Sequence, residues 1–176
     1  GTVSKFDNRG SLIGTFGGGY SGSPESILFD KDGNAYVGSV DGDNDIRKFD
    51  RQGNFLAQYN VATEDRGSDW IDLAADQCTI YYTSEGHYIK RFDVCKNTQV
   101  SNLNTNPLPS EAYALRILQT GSLLVADTSI IVQLDSFGNV IKSYDAPGEN
   151  CWFALNLDPD GTSFWSADFC TSNVYK

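Results

Sequence analysis

A segment of about 42 residues recurs along this 176-residue chain. No other feature limits the fold as much, because a fixed period of that length means stacked copies of one small unit. SKFDNRG, RKFDRQG, KRFDVCK and VQLDSFG, then the terminal NVYK, align on Phe6, Phe49, Phe92, Leu134 and Tyr175 at steps of 43, 43, 42 and 41 residues. A second anchor keeps the same period: PESILFDKDGNAYVGS, WIDLAADQCTIYYTS, AYALRILQTGSLLVAD and WFALNLDPDGTSFWSAD align from Pro24, Trp70, Ala112 and Trp152. In three of these four, Gly33, Gly121 or Gly161 occupies one place, where a tight reversal needs positive φ.

Each unit reads as four short strands. Strand one is ILFD, IDLAAD, YALRIL or FALNLD, and strand two is NAYVGS, TIYYTS, SLLVAD or TSFWSA. Strand three is DIRKFD, YIKRFD, IIVQLD or NVYK, and strand four is LIGTF, FLAQY, QVSNL or VIKSY. No window carries the apolar period of an amphipathic helix. The arithmetic is that of propeller blades, so the expected fold is all-β, a β-propeller of about four four-stranded blades. The single domain divides into a partial blade at 1–17, blades at 18–60, 61–104 and 105–145, and a partial blade at 146–176. The chain opens and stops in strand three. A four-bladed ring would pair VSKFD with the last blade, but NVYK competes for that slot. The favoured expectation is therefore part of a six- or seven-bladed ring whose end strands meet further blades or a neighbouring protein.

These residues resemble a known family. PESILFDKDGNAYV, then DIRKFDRQGNF, is similar to an NHL-repeat blade: a Pro entry, an apolar strand ending in Asp30, an Asp-Gly-Asn turn, Tyr36-Val37, and a charged-aromatic-Asp strand before Gly53. The related streptogramin-lyase-like propellers are resembled too. The similarity covers essentially the whole chain and implies a fold more than a function. The units carrying cysteines depart from the pattern.

The repeat selects one pairing of the four cysteines. Cys78 and Cys95 are symmetric about the Glu85-Gly86-His87 turn, and Cys151 and Cys170 about the Asp160-Gly161 turn. Each pair faces across an antiparallel hairpin, within disulfide reach. Zinc is disfavoured because no two cysteines form a short clamp. Two hairpin disulfides imply an oxidising compartment, so the expected location is secreted or cell surface. The chain has no Met, which reads as a mature or excised product, and no apolar run approaches the ~20 residues of a membrane helix.

Thirteen Lys and Arg against twenty-three Asp and Glu leave a net charge of −10. That sign argues against nucleic acid and anionic membranes as partners. Loops between strands two and three, and the connectors between blades, share one face of a propeller and hold much of the acid. Asp41-Gly-Asp43-Asn-Asp45 alternates carboxylates as a hard cation needs, which makes Ca²⁺ the one candidate cofactor, although a solvated turn is the favoured reading. Trp70 and Trp152 align at the start of strand one, on the rim of the central channel, with Asp69 and Tyr113 beside them. They are the candidate ligand-binding residues for a carbohydrate or small molecule, with inter-blade packing the favoured reading of the two indoles. Trp165 reads as core.

His87 is the only histidine. Streptogramin-lyase-like enzymes, by the resemblance, need several His and Glu residues on this face, so that activity does not carry over. No G-x-S-x-G, P-loop or Ser-His-Asp order is present, and no catalytic residue is assigned. An acidic face leaves paired-carboxylate glycoside hydrolysis open without singling out a pair. Three functions follow: a secreted binding or scaffold propeller without catalysis, which is favoured; an extracellular lyase or hydrolase using the acidic face; and a structural subunit joined through its end strands.

Overall fold

A computed structural model of the chain describes residues 1–176. Its strands form five antiparallel sheets. The first is β1 (Val3–Phe6) with β2 (Leu12–Phe16). Three four-stranded blades follow: β3 (Ser23–Phe29), β4 (Ala35–Val40), β5 (Ile46–Phe49) and β6 (Phe55–Tyr59); β7 (Ile71–Leu73), β8 (Thr79–Tyr82), β9 (Lys90–Asp93) and β10 (Thr98–Val100); and β11 (Ala112–Ile117), β12 (Leu123–Asp127), β13 (Ile130–Leu134) and β14 (Val140–Tyr144). The last sheet is β15 (Trp152–Leu157), β16 (Phe164–Asp168) and β17 (Val174–Tyr175). This is the β-propeller that the period predicted. The inner strands β3, β7, β11 and β15 stand side by side in that order. β1 hydrogen-bonds only to β2 and β17 only to β16, so the alternative four-bladed closure through Val3–Asp7 is not made.

In the middle blades strand two is covered on both sides because the sheet is packed between two neighbours. In β4, Ala35 and Val37 join Phe16 and Phe49 against the preceding sheet, while Tyr36 joins Ile71, Ile80 and Tyr82 of the following blade. In β12, Leu123 and Val125 face the blade before, and Leu124 and Ala126 face Trp152 and Leu155 after it. A strand covered on both faces has no polar side to show, so its apolar run is nearly continuous. The blades approach so closely that a Cβ on Gly38 would lie 2.3 Å from the Ser68 carbonyl oxygen.

One turn design is reused. Asp50 Oδ1 accepts the Gln52 and Asn54 N–H groups at 2.8 and 2.9 Å, and Asn54 Nδ2 donates to Oδ2. Asp135 does the same with Phe137 and Asn139, and Asp30 with Asp32 and Asn34. The glycine that follows has φ of 77° at Gly33 and 83° at Gly138. Hydrogen bonds from Asn54 and Asn139 hold Asp50 and Asp135 below the usual carboxylate range. Part of the negative charge is therefore turn scaffolding.

Both disulfides form as expected, Cys78–Cys95 with a Cα–Cα distance of 5.2 Å and Cys151–Cys170 with 5.7 Å. No cysteine is free. No helix is long and apolar enough to cross a membrane.

Candidate functional site

The inner strand slips register once in each blade. Pro24 pairs with Ser39 and Ser26 with Gly38, leaving Glu25 unpaired; Trp152 pairs with Asp168 and Ala154 with Ala167, leaving Phe153. A slip between Ala112 and Leu115 includes Tyr113. In the β7 blade the N–H groups of Asp69 and Thr83 bond the carbonyls of Thr83 and Trp70 at 3.1 and 3.0 Å, so Asp69 holds the same position. A bulge bends its strand and re-aims one side chain. Here it sends Glu25, Asp69, Tyr113 and Phe153 to the channel mouth, one from each of four neighbouring sheets.

Residues leaving strand two come up beside them. Glu85 and Thr128 take φ of 46° and 32°, a left-handed region costly for side chains of this kind. With Phe169 and Arg66 they complete a cleft of about 390 Å³ whose lining includes Glu25, Tyr113, Phe153 and Cys151. The loops and connectors expected to share one face do so here.

Arg66 organises the acidic side. Its Nε and Nη2 donate to Asp41 at 3.1 and 2.5 Å, and Nη1 donates to Glu85 at 2.9 Å. Glu25 lies 3.6 Å away, an ion-pair contact without a hydrogen bond. Asp69 is 3% exposed. Burial pushes its pKa up strongly, reinforced by the Glu25 carboxyl and by the Glu25 and Glu85 charges, with Arg66 opposing. Asp69 therefore keeps its proton to higher pH than an ordinary aspartate. Tyr113 is raised first by burial and then by the charges of Glu111 and Glu85, which marks the cleft as a region of negative potential.

Tyr113 thus lines the cleft and Asp69 lies buried beside its acidic side, whereas the two tryptophans are not in its lining. Trp152 is 2% exposed and packs edge-on against Tyr175 at 5.4 Å, inside the core between the last two sheets. The structure corrects its expected place on the channel rim. Trp70 packs against two core clusters and lies under the Arg116 guanidinium at 4.8 Å. It is not equivalent to Trp152: the bulge register matches it with Ser26 and Ala154. Glu25 and Phe153 were missed because that one-residue bulge leaves no trace in the apolar pattern. Trp165, expected in the core, is 43% exposed.

The carboxylates of Asp41, Asp43 and Asp45 do not converge. Asp41 turns to Arg66, Asp43 binds Arg47 at 2.5 Å, and Asp45 accepts Gln58 at 2.5 Å. A cation there would have to displace two guanidinium groups. Only Cys151, Asp168 and Cys170 bring three potential ligand atoms together, and those sulfurs are bonded to each other.

Several acids expected on this face are internal latches. Asp168 Oδ2 accepts the Asn150 and Cys151 N–H groups at 3.0 and 2.7 Å, and Glu149 accepts Thr171, Asn173 and Tyr175. Asp127 is fully buried. Its Oδ1 accepts the Ser110 N–H at 3.0 Å, and Oδ2 has no partner. Burial pushes its pKa up to about 6, opposed by the Ser110 N–H and by His87. A folded pKa above the unfolded value means that native Asp127 keeps its proton longer. Its penalty is absent near pH 4, grows as pH rises and levels off above the folded pKa. Asp127→Asn keeps an acceptor for Ser110 and removes the charge. Thermal melts should show the variant gaining on the parent between pH 4 and pH 8, by on the order of 1 kcal/mol. A pH-independent difference would count against the buried charge.

The exposed His87 lies outside the cleft lining, and its Nδ1 is tied to the Leu108 carbonyl oxygen at 2.8 Å.

Solved structures share the fold. A protein of unknown function from Bacteroides caccae superposes with a TM-score of 0.74 at 14% identity, over 95% of this chain and 64% of its own. A streptogramin B lyase gives 0.72 at 15% identity, over 99% of this chain and 60% of its own. The virginiamycin B lyase from Staphylococcus aureus gives 0.69 at 11%, over 99% and 61%. At such identities the likeness is one of fold. The chain spans about three-fifths of the length of these structures. No protein-family model matches the sequence, and no curated protein matches it.

Proposed function

We propose that this chain is a secreted, non-catalytic binding module whose ligand, a small molecule or carbohydrate, sits at the channel mouth. The repeated inner-strand bulge carries the reading, because it gathers Glu25, Asp69, Tyr113 and Phe153 from four sheets around one opening. Packing alone gives no reason to aim two acids and two aromatic rings at the same point. Two disulfides support an oxidising location.

The end sheets are proposed to contact further blades. Phe6 is 57% exposed where its equivalents Phe49, Phe92 and Leu134 are at most 2%. Trp165 is 43% exposed where Tyr36 and Leu124 are 1%. Positions that the middle blades cover are thus bare at both ends, and the similar structures are longer than this chain.

A second reading, an extracellular lyase or hydrolase, is favoured by one observation: burial and the neighbouring Glu25 carboxyl raise the pKa of Asp69 close to the cleft, as acid–base groups require. One experiment separates the two. Small molecules and oligosaccharides are screened by thermal shift, and stabilising compounds are then recovered and weighed by mass spectrometry. Unchanged ligands whose effect is lost in Tyr113→Ala are expected. Cleaved or eliminated products that disappear in Asp69→Asn would replace binding by catalysis. Stabilisation that survives Tyr113→Ala would overturn the cleft as the site.

A further inference from the structure

We propose that the channel-mouth cleft takes an organic cation, a small apolar body bearing a quaternary or primary ammonium group. The assignment deepens the binding reading and rests on it. One wall is a strip of three rings: Tyr113 and Phe153 have centroids 5.1 Å apart, and Phe153 and Phe169 5.7 Å. Phe169 is 74% exposed and Phe153 36%, so this strip presents ring surface to solvent. Ring faces carry partial negative charge and attract cations.

The opposite wall is acidic and only partly neutralised. Arg66 is the sole cation in the lining, and its hydrogen bonds go to Asp41 and Glu85. Glu25 has only its 3.6 Å ion-pair contact with Arg66 and accepts no hydrogen bond from it. Asp69, 3% exposed, lies behind that wall with Glu25 and Glu85 as acidic neighbours and Arg66 as the opposing charge. Three carboxylates, Glu25, Asp41 and Glu85, share the one guanidinium of Arg66, so this wall keeps net negative charge, and the aromatic wall selects what kind of cation answers it. A hard metal ion takes six or more oxygens. Here the rings fill that hemisphere, and the oxygens of Glu25, Asp69 and Glu85 do not gather within ligating distance. An ammonium group with a methylated or methylene surface satisfies both walls.

The test uses choline chloride and its uncharged carbon isostere, 3,3-dimethyl-1-butanol, titrated into the chain at constant ionic strength and followed by NMR. Choline is expected to shift the ring resonances of Tyr113, Phe153 and Phe169. The neutral isostere should bind at least about tenfold more weakly. Glu25→Gln, a change at an exposed side chain, should weaken choline by roughly three- to tenfold and leave the isostere unaffected. Equal binding of the two probes, or shifts remote from the strip, overturns the assignment. If choline fails while an uncharged ligand still depends on Tyr113, the cation is wrong and the binding reading stands. If neither binds, both fall.

Discussion

Trp152→Ala is expected to cost about 3–5 kcal/mol, the usual range for deleting a fully buried aromatic side chain. The indole is 2% exposed and fills the space between the last two sheets with Ala114, Leu124, Ala126, Ile131 and Leu155. Its edge-on contact with Tyr175 helps hold the short strand β17, which pairs with β16 at only two positions. Denaturant unfolding measures the loss. At temperatures where the variant stays folded, ligand affinity at the cleft should be close to that of the parent, because the indole itself packs into the core and only its neighbours Cys151 and Phe153 line the cleft. A stability loss under 1 kcal/mol together with lost binding would return Trp152 to the channel rim.

Replacing either cysteine pair by alanine is expected to destabilise by about 3 kcal/mol, the chain-entropy value for loops of this size. The two pairs should differ in what else they change. Cys78–Cys95 joins the turn between β7 and β8 to the end of β9, on the face away from the cleft, so its loss should lower the melting temperature alone. Cys151 lines the cleft and Cys170 follows Phe169 directly. Losing that bridge should also loosen the Phe153–Phe169 contact and weaken ligand binding. Melting curves and titrations of both double variants check this. Equal effects on binding from the two pairs would show that the bridge near the cleft does not position its aromatic wall.

Asp69 and Tyr113 were legible as candidates because both sit where strand one begins, beside connectors rich in acid and turn residues. The role of the carboxylates was not legible. Spacing alone made Asp41, Asp43 and Asp45 look like a cation loop, yet Arg66, which claims Asp41, is 25 residues distant in sequence. Asp127, Glu149 and Asp168 looked like surface charge, yet they face inward to hold the blade connectors. Ion pairs and latches between distant segments leave no local pattern, so composition overstated the free acid on this face.

The sequence by itself determined the period, four strands per blade, the Asp-x-x-Gly turns and both disulfides. These depend on neighbours in the chain: side-chain alternation, φ at a glycine, and cysteines opposed across a hairpin. Tertiary structure decided the inner-strand register. The turn after Asp30 closes on Asn34, four residues on, whereas the turn after Ala74 closes on Thr79, five residues on. The turn after Asp158 also closes five residues on, at Ser163, so turn length does not separate the Trp70 and Trp152 blades, and an ungapped alignment sets the two tryptophans together although their pairing with strand two places them two positions apart. Neighbouring blades fix that register, because a single-residue slip moves every following side chain to the opposite face. Only the packed array could therefore reveal that Glu25, Asp69, Tyr113 and Phe153 are the residues aimed at the channel mouth.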